Sequence, residues 1–319
     1  MTGPQLGRRG LLRAASLGAV GTVAFPLTGT RSRRQTPTFV FVHGANGNGA
    51  SYAPLMSGLG MAGYRALAVD LPGHGAPANF LLSYQAPQNL DAFATAPSPV
   101  LARTTLADNV RHVVGVVRAV AARGPVILVG QSMGGATVTR VGNAIPDLVA
   151  RLVYVSAFCC VRFRSLVDCY ASPEGADTLI PLIPSVGDPQ RLGVTRTNWR
   201  SADPAFLAGA RAALAAGYTE AGFHTMLNGL EPDESLTVIG DDARGEPGTW
   251  GRIPRSYIRF KLDRALPLAL QDRMIDEADA ATPGNRFDVH SLPAPHVGPQ
   301  DPGPLVKILA TLAQRHQRE

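Results

Sequence analysis

The segment VILVGQSMGG, residues 126–135, contains the pattern Gly-x-Ser-x-Gly with Ser132 at its centre. A short apolar run precedes the pattern and an alanine- and valine-rich segment follows it, which predicts a strand, a tight turn and a helix. The two glycines remove Cβ atoms that would clash in so tight a turn, and Ser132 would stand on strained backbone with its hydroxyl clear of the sheet. A helix beginning near Met133 adds free N–H groups beside that hydroxyl. The pattern therefore predicts that Ser132 is a nucleophile and not a plain helix cap.

Six short β-branched and apolar runs alternate with longer helical segments after residue 35. Most of these runs are apolar on both faces, as buried parallel strands are. Strands alternating with helices imply right-handed βαβ units, so we predict an α/β fold with a mostly parallel sheet covered by helices on both faces. Strands are expected at residues 38–44, 64–70, 125–130, 151–158, 256–260 and 286–292, and helices at 51–62, 105–122, 133–144, 267–280 and 303–317.

Two segments interrupt this alternation. Residues 71–103 form a connection longer than a βα loop needs, and residues 160–250 separate two predicted strands. An insertion of this size at a sheet edge usually covers a binding site. We therefore expect a core of residues 35–159 and 251–319 and a helical lid at residues 160–250, which is called the insertion below.

Three stretches together resemble the α/β-hydrolase family. FVFVHGANGNGASYAPL resembles its oxyanion loop, ALAVDLPGHG its next strand and turn, and VGQSMGG its nucleophile turn. The resemblance extends from residue 38 to residue 315 and is strongest to small lid-bearing esterases, the group that includes plant methylesterases and hydroxynitrile lyases. It implies an α/β-hydrolase fold in which a nucleophile, an acid and a histidine follow one another along the chain.

This order implies a specific acid and a specific base. The acid follows the strand after the lid, where Asp263 stands, while Asp241 and Asp242 precede that strand and Glu277 falls inside a helix. The base is expected in the proline-rich loop ahead of the final helix, at His296, and His290 within the last strand is the alternative. The family's oxyanion donors correspond to the backbone N–H groups of Ala45 and Met133.

The resemblance implies a serine hydrolase that cleaves a small apolar carboxylic ester through an acyl-enzyme on Ser132, without a metal or an organic cofactor. Lactone, thioester or C–C hydrolysis, lyase chemistry and non-catalytic binding of a small molecule remain alternatives. Related lyases have lysine after the histidine and threonine in the oxyanion loop. This chain has Val297 and Ala45 at those positions, which argues against lyase chemistry.

The net charge of +6 is concentrated at the N-terminus. Residues 1–34 hold six of the 30 basic residues and no acidic one, so the remaining 24 basic residues equal the 24 acidic residues. A nucleic-acid partner is therefore not expected.

Residues 1–34 are predicted to be a twin-arginine export signal and basic linker. The prediction rests on the pair Arg8-Arg9, the modestly apolar stretch after it and the small residues ending at Ala24. A basic tail on a cytoplasmic protein is the alternative.

The apolar stretch of this signal is short, rich in glycine and interrupted by Arg13, so no stable membrane span is expected after signal removal. The three cysteines, Cys159, Cys160 and Cys169, are an odd number and do not form a disulfide framework. We expect them to be buried as small apolar residues, although a bridge from either of the first two to Cys169 stays open.

Overall fold

A six-stranded parallel sheet forms the centre of residues 35–318, the part of the chain that the computed structural model describes. The export signal predicted for residues 1–34 lies outside the described residues. All six predicted strands are present. The strands of residues 35–318, including two short ones in the insertion, are β1 (Thr38–Val42), β2 (Arg65–Val69), β3 (Val126–Ser132), β4 (Arg151–Ala157), β5 (Val194–Arg196), β6 (Asp233–Ser235), β7 (Arg255–Phe260) and β8 (Asp288–Leu292).

Helices cover both faces of this sheet, and the five predicted core helices lie within one or two residues of their expected positions. The α-helices of residues 35–318 are α1 (Ala53–Met61), α2 (Leu90–Thr95), α3 (Leu106–Ala121), α4 (Gly134–Ala144), α5 (Leu166–Ala171), α6 (Pro189–Leu192), α7 (Pro204–Leu214), α8 (Glu220–Asn228), α9 (Leu236–Gly240), α10 (Leu268–Ala281) and α11 (Gly303–Arg318). Helix α3 shows why the boundaries are sharp: Thr105 and Asp108 form a reciprocal capping box at its start.

The strand order is β2-β1-β3-β4-β7-β8, and every neighbouring pair is parallel. The chain runs from β1 outward to β2 and then returns to the other side of β1 at β3. The order of the sheet therefore reverses between β1 and β3, whose ends lie side by side with Val42 opposite Gly130. A crevice at the carboxyl ends of the strands at such a reversal is the usual ligand position in open α/β sheets.

Side chains alternate between two cores across the sheet. Val40 and Leu128 face one core with α3, α4 and α10, whereas Phe39 and Ile127 face the other with α1 and α11. All four side chains are fully buried. The central strands are thus apolar on both faces, as their sequence predicts, because helices remove both faces from water.

The insertion contains helices α5–α9 and, unlike the helical segment that was expected, a two-stranded antiparallel sheet of β5 and β6. Its middle part has an apolar cluster of its own around Trp199, Phe206 and Phe223. Its two ends belong to the core below, because Cys160 and Trp250 pack in the main cluster beside α4 and α10.

The three cysteines are fully buried thiols, as expected from the sequence. The sulfur atoms of Cys160 and Cys169 lie 3.7 Å apart and are not bonded.

No helix within residues 35–318 is both long and apolar enough to cross a membrane.

Candidate active site

Ser132 stands at the end of β3 on a strained turn into α4. Its φ angle is +51°, a left-handed conformation that residues with a side chain rarely adopt. A Cβ atom on Gly130 would lie 2.8 Å from the Gly134 carbonyl oxygen, and one on Gly134 would lie 2.5 Å from the Val42 carbonyl oxygen. Both glycines are therefore required by close approach, as the Gly-x-Ser-x-Gly pattern predicts.

The structure brings Ser132, His296 and Asp263 together, although they come from three separate segments of the chain. The Ser132 Oγ atom lies 2.9 Å from His296 Nε2, and His296 Nδ1 lies 2.6 Å from Asp263 Oδ2. Ser132 is 7 % exposed and His296 8 % exposed, while Asp263 is buried below them. This geometry is the one that a serine nucleophile, a base and an orienting acid need.

The Asp263 carboxylate accepts four hydrogen bonds. Oδ2 accepts from His296 Nδ1 and, at 2.5 Å, from Ser156 Oγ, and Oδ1 accepts from the backbone N–H groups of Ala265 at 2.8 Å and Leu266 at 2.7 Å. In all four bonds the carboxylate oxygens are acceptors. The His296 ring therefore carries its proton on Nδ1, and Nε2 is left to accept the Ser132 proton.

The oxyanion loop, residues 44–49, lies directly against Ser132. A Cβ atom on Gly44 would lie 2.7 Å from Ser132 Cβ and 3.3 Å from Ser132 Oγ, so only glycine fits there without displacement. The next residue, Ala45, is exposed, and Met133 follows Ser132 at the helix N-terminus. No atom of residues 35–318 accepts a hydrogen bond from the N–H group of Ala45 or of Met133. Both donors adjoin the serine: Met133 follows it in the chain, and Ala45 follows Gly44, which packs against it.

The residues considered as alternative acids and bases lie in other interactions. His290 is in β8, and Glu277 is in α10. Each of them has another partner: Asp241 accepts from Leu106 N–H, Asp242 binds Arg244, Glu277 binds Arg273, and His290 lies beside Asp288.

Two further side chains hold this site, and the sequence reasoning did not assign their contacts. Ser156 binds Asp263, and its φ angle of +40° reflects an irregularity where β4 runs beside the turn at Ser132. Gln131, the residue before Ser132, donates from its Nε2 atom to the His296 carbonyl oxygen at 2.9 Å. The only local sign of this contact in the sequence is that the residue before Ser132 is polar.

The insertion contacts the loops that hold the site. The N–H group of Val297, next to His296, donates to the Leu214 carbonyl oxygen at 3.1 Å, and the Tyr218 hydroxyl donates to the Gly298 carbonyl oxygen at 3.1 Å. On the opposite side, the backbone of Asn46 in the oxyanion loop is bonded to residues of the insertion. The middle of the insertion is thus fixed to both the histidine loop and the oxyanion loop.

Comparison with known proteins agrees with this architecture. Residues 39–308 match the model of the alpha/beta hydrolase family. The chain is 28% identical to the pyrethroid hydrolase of Sphingobium wenxiniae over 266 residues, which cover 81% of this chain and 80% of that one. An esterase of Mycobacterium tuberculosis is 36% identical over 119 residues, but this match spans only 37% of this chain and 32% of the relative.

A carbendazim-hydrolysing esterase of a Nocardioides species is 31% identical over 152 residues, 48% of this chain and 49% of the relative. Among solved structures, a pyrethroid hydrolase superposes with a TM-score of 0.66 at 25% identity, covering 89% of this chain and 100% of that chain. Polyneuridine aldehyde esterase has the same fold, with a TM-score of 0.63 at 20% identity over 88% of this chain and 100% of its own. With a family match over most of its length, this chain belongs to the alpha/beta hydrolase family.

Proposed function

We propose that this protein is a serine esterase that cleaves a small apolar carboxylic ester through an acyl-enzyme on Ser132. The observation that carries the proposal is the hydrogen-bonded series Ser132–His296–Asp263 beside two unpaired backbone N–H groups. The similarity to the pyrethroid hydrolase over 266 residues supports a hydrolase reaction.

The reaction follows from these positions. His296 Nε2 takes the Ser132 proton as Oγ bonds to the ester carbonyl carbon, and the N–H groups of Ala45 and Met133 bind the oxygen that becomes negative. Asp263 stabilises the imidazolium. The imidazolium then gives its proton to the alcohol oxygen as the C–O bond breaks, which leaves the acyl group on Ser132. A water that gives a proton to His296 attacks this acyl group, and the acid product and the serine are released.

A series of p-nitrophenyl esters of increasing acyl length tests this proposal. We expect wild-type protein to cleave the esters and to be labelled by a fluorophosphonate, and Ser132→Ala to lose both. Ser57→Ala, at an exposed position of α1, is the matched control and keeps both. Asp263→Asn should lower kcat by about 10⁴-fold because the wrong histidine tautomer is favoured. Equal rates for wild type and Ser132→Ala would reject the proposal.

We also propose that the insertion acts as a lid. Two facts support this: Ser132 and His296 are each less than a tenth exposed, and the insertion is bonded to the loops on either side of them. A substrate could then enter only after the insertion moves.

The Tyr218→Phe variant tests the lid because it removes one bond between the insertion and the histidine loop. Labelling by a bulky fluorophosphonate should accelerate by up to about fivefold, the equivalent of one hydrogen bond of about 1 kcal/mol. Tyr64→Phe removes a similar hydroxyl-to-carbonyl bond, to Ala310 in the core, and should leave the rate unchanged. Equal effects of the two variants would contradict a moving lid.

For residues 1–34, we propose export through a twin-arginine signal, supported by the Arg8-Arg9 pair and the lack of acidic residues. The exported protein should begin near Phe25, as N-terminal sequencing of the mature form would show. Replacing both arginines by lysine should retain the precursor in the cytoplasm. An uncleaved cytoplasmic protein in the wild-type strain would contradict the proposal.

A further inference from the structure

Four buried titratable side chains lie behind the oxyanion loop and take no part in the acyl transfer described above. His43 and His74 belong to the core, whereas Glu231 and Glu234 belong to the insertion. Their exposed fractions are only 1–3 %. Charges this deeply buried are costly unless they are paired and hydrogen-bonded, so their arrangement needs an explanation.

His74 lies between the two glutamates. Its Nδ1 atom lies 2.8 Å from Glu231 Oε2, and its Nε2 atom lies 3.5 Å from Glu234 Oε2. Because both ring nitrogens face carboxylates, the ring fits as an imidazolium that donates from Nδ1 to Glu231 and lies within ion-pair distance of Glu234 at Nε2. Burial alone would lower the pKa of His74, but the two carboxylates overcome this effect and raise it to about 10.

His43 must be neutral for its two hydrogen bonds to coexist. Its Nε2 atom accepts the Leu71 N–H group at 3.1 Å and is therefore unprotonated, so its Nδ1–H group donates to the Gly44 carbonyl oxygen at 2.8 Å. Burial, and then the positive charge of His74, lowers the pKa of His43 to about 4. The rings lie edge to face with centroids 4.8 Å apart.

These bonds determine the direction of the Ala45 N–H group. The Gly44 carbonyl oxygen accepts from His43 Nδ1 and from Gly47 N–H, the latter at 3.2 Å. A trans peptide is planar, and its C=O and N–H groups point in opposite directions. Holding the Gly44 carbonyl toward His43 therefore turns the Ala45 N–H group to the other side.

The following residue, Asn46, is held by the insertion. Its N–H group donates to Glu234 Oε2 at 2.8 Å, its side-chain Nδ2 donates to the Glu231 carbonyl oxygen at 2.8 Å, and its own carbonyl accepts from Glu231 N–H at 2.8 Å. Asn46 adopts a φ angle of +57° in this position. Ala45 thus lies between two peptides that cannot turn independently.

We propose that Glu234 and His74 are positioning residues for the oxyanion loop: through Asn46 and His43 they fix the direction in which Ala45 presents its N–H group beside Ser132. The inference rests on the proposed esterase function. It also makes the oxyanion hole depend on the insertion, because Glu234 joins the loop only while β6 lies against it.

The test compares Glu234→Ala with Asp233→Asn. Asp233 is an equally buried carboxylate in the same strand, but its side chain binds Arg196 and, among the described residues, forms no hydrogen bond with the oxyanion loop. Three quantities are measured for each variant: kcat and KM on a p-nitrophenyl ester, the affinity for a trifluoromethyl ketone whose tetrahedral adduct needs the oxyanion donors, and the thermal midpoint.

In Glu234→Ala, we expect kcat and the affinity for the ketone to fall by the same factor, about 10- to 100-fold, with KM unchanged. Glu234→Gln keeps an oxygen for the Asn46 N–H group and should recover most of the loss. Asp233→Asn should lower the thermal midpoint without changing the ketone affinity. If Glu234→Ala does not fold, Asn46→Gly replaces it. Glycine tolerates the φ angle, and the variant loses one of the three bonds between Asn46 and the insertion, the one from Nδ2 to the Glu231 carbonyl oxygen.

The outcomes separate this inference from the proposed function. If wild type cleaves esters and Ser132→Ala does not, but the Glu234 and Asn46 variants keep their kcat and ketone affinity, the positioning inference is wrong and the esterase proposal stands. Equal losses in Glu234→Ala and Asp233→Asn would also overturn the inference. If wild type cleaves no ester, the proposed function fails, and the inference fails with it.

Discussion

Ser156 Oγ lies 2.5 Å from Asp263 Oδ2, the same oxygen that accepts the hydrogen bond from His296 Nδ1. The serine reaches this position because its φ angle is +40°, which turns its side chain out of the regular alternation of β4. Ser132 and Ser156 thus both adopt left-handed backbone where β3 and β4 lie side by side, and at Ser156 this conformation directs the hydroxyl to Asp263.

Replacing Ser156 should separate the contribution of its hydroxyl group from the conformational strain of its backbone. Ser156→Ala and Ser156→Gly both remove the hydrogen bond to the Asp263 carboxylate, and in each the loss of this bond should cost about 2 kcal/mol of stability and lower kcat several-fold. Glycine relieves strain of about 1–3 kcal/mol while adding about 0.5–1 kcal/mol of unfolded-state entropy, so the glycine variant should be the more stable of the two by about 1 kcal/mol. Urea unfolding measures this difference. If Ser156→Gly is less stable than Ser156→Ala, the backbone of Ser156 is not strained.

Gly44→Ala should inactivate the enzyme. The added Cβ would lie 2.7 Å from Ser132 Cβ, so either the oxyanion loop or the serine must move. We expect kcat to fall by about 100-fold or more, as for loss of an oxyanion donor. Gly60→Ala in α1 is the control, because its Cβ meets nothing within 4 Å and it should stabilise the protein by about 1 kcal/mol. Wild-type activity in Gly44→Ala would show that the loop is not rigidly placed.

Local sequence patterns were enough to predict most of the fold and the serine. The strand before Ser132 and the helix after it are continuous in sequence, and their apolar residues reflect burial on both faces of the sheet. Asp263 and His296 were assigned from the order of elements in a known family. The structure places His296 beside Ser132 and Asp263 beside His296, at hydrogen-bond distances.

Contacts between distant segments were not predictable in this way. Glu231 lies 157 residues from His74, and Gln131 lies 165 residues from His296. From the sequence alone, a glutamate in the insertion and a glutamine beside a turn would be expected at the surface. Their partners are distant in sequence and become neighbours only in the folded protein. Ser156 had no signal either, because its conformation arises from a shift in register between β3 and β4.

Gln131→Leu should test whether the glutamine positions the histidine loop. The variant keeps a side chain of similar size but removes the donor to the His296 carbonyl oxygen, so we expect kcat to fall by roughly tenfold through misplacement of the imidazole. Gln88→Leu removes an amide donor to the Tyr84 carbonyl oxygen elsewhere and should leave kcat unchanged. If both variants hydrolyse p-nitrophenyl esters at the wild-type rate, Gln131 does not position the histidine loop and contributes only packing.

The buried histidines should give stability a maximum near neutral pH. In the folded state, the pKa of His43 is lowered from 6.5 to about 4, and that of His74 is raised from 6.5 to about 10. Between pH 4 and 6.5 the unfolded chain binds a proton at His43 that the folded protein does not, so the free energy of unfolding falls as the pH decreases. Between pH 6.5 and 10 the folded protein keeps the His74 proton that the unfolded chain loses, so the same free energy falls as the pH rises.

Urea unfolding measured from pH 4 to pH 10 tests this dependence, with a slope of up to about 1.4 kcal/mol per pH unit on each side. His74→Gln should be less stable throughout and should lack the decline above pH 6.5, because no imidazolium remains to lose its proton between Glu231 and Glu234. His112→Gln, at an exposed position of α3, should reproduce the wild-type profile. A decline of equal slope in His74→Gln would show that His74 does not hold its proton in the folded protein, since the remaining groups would then account for the whole effect.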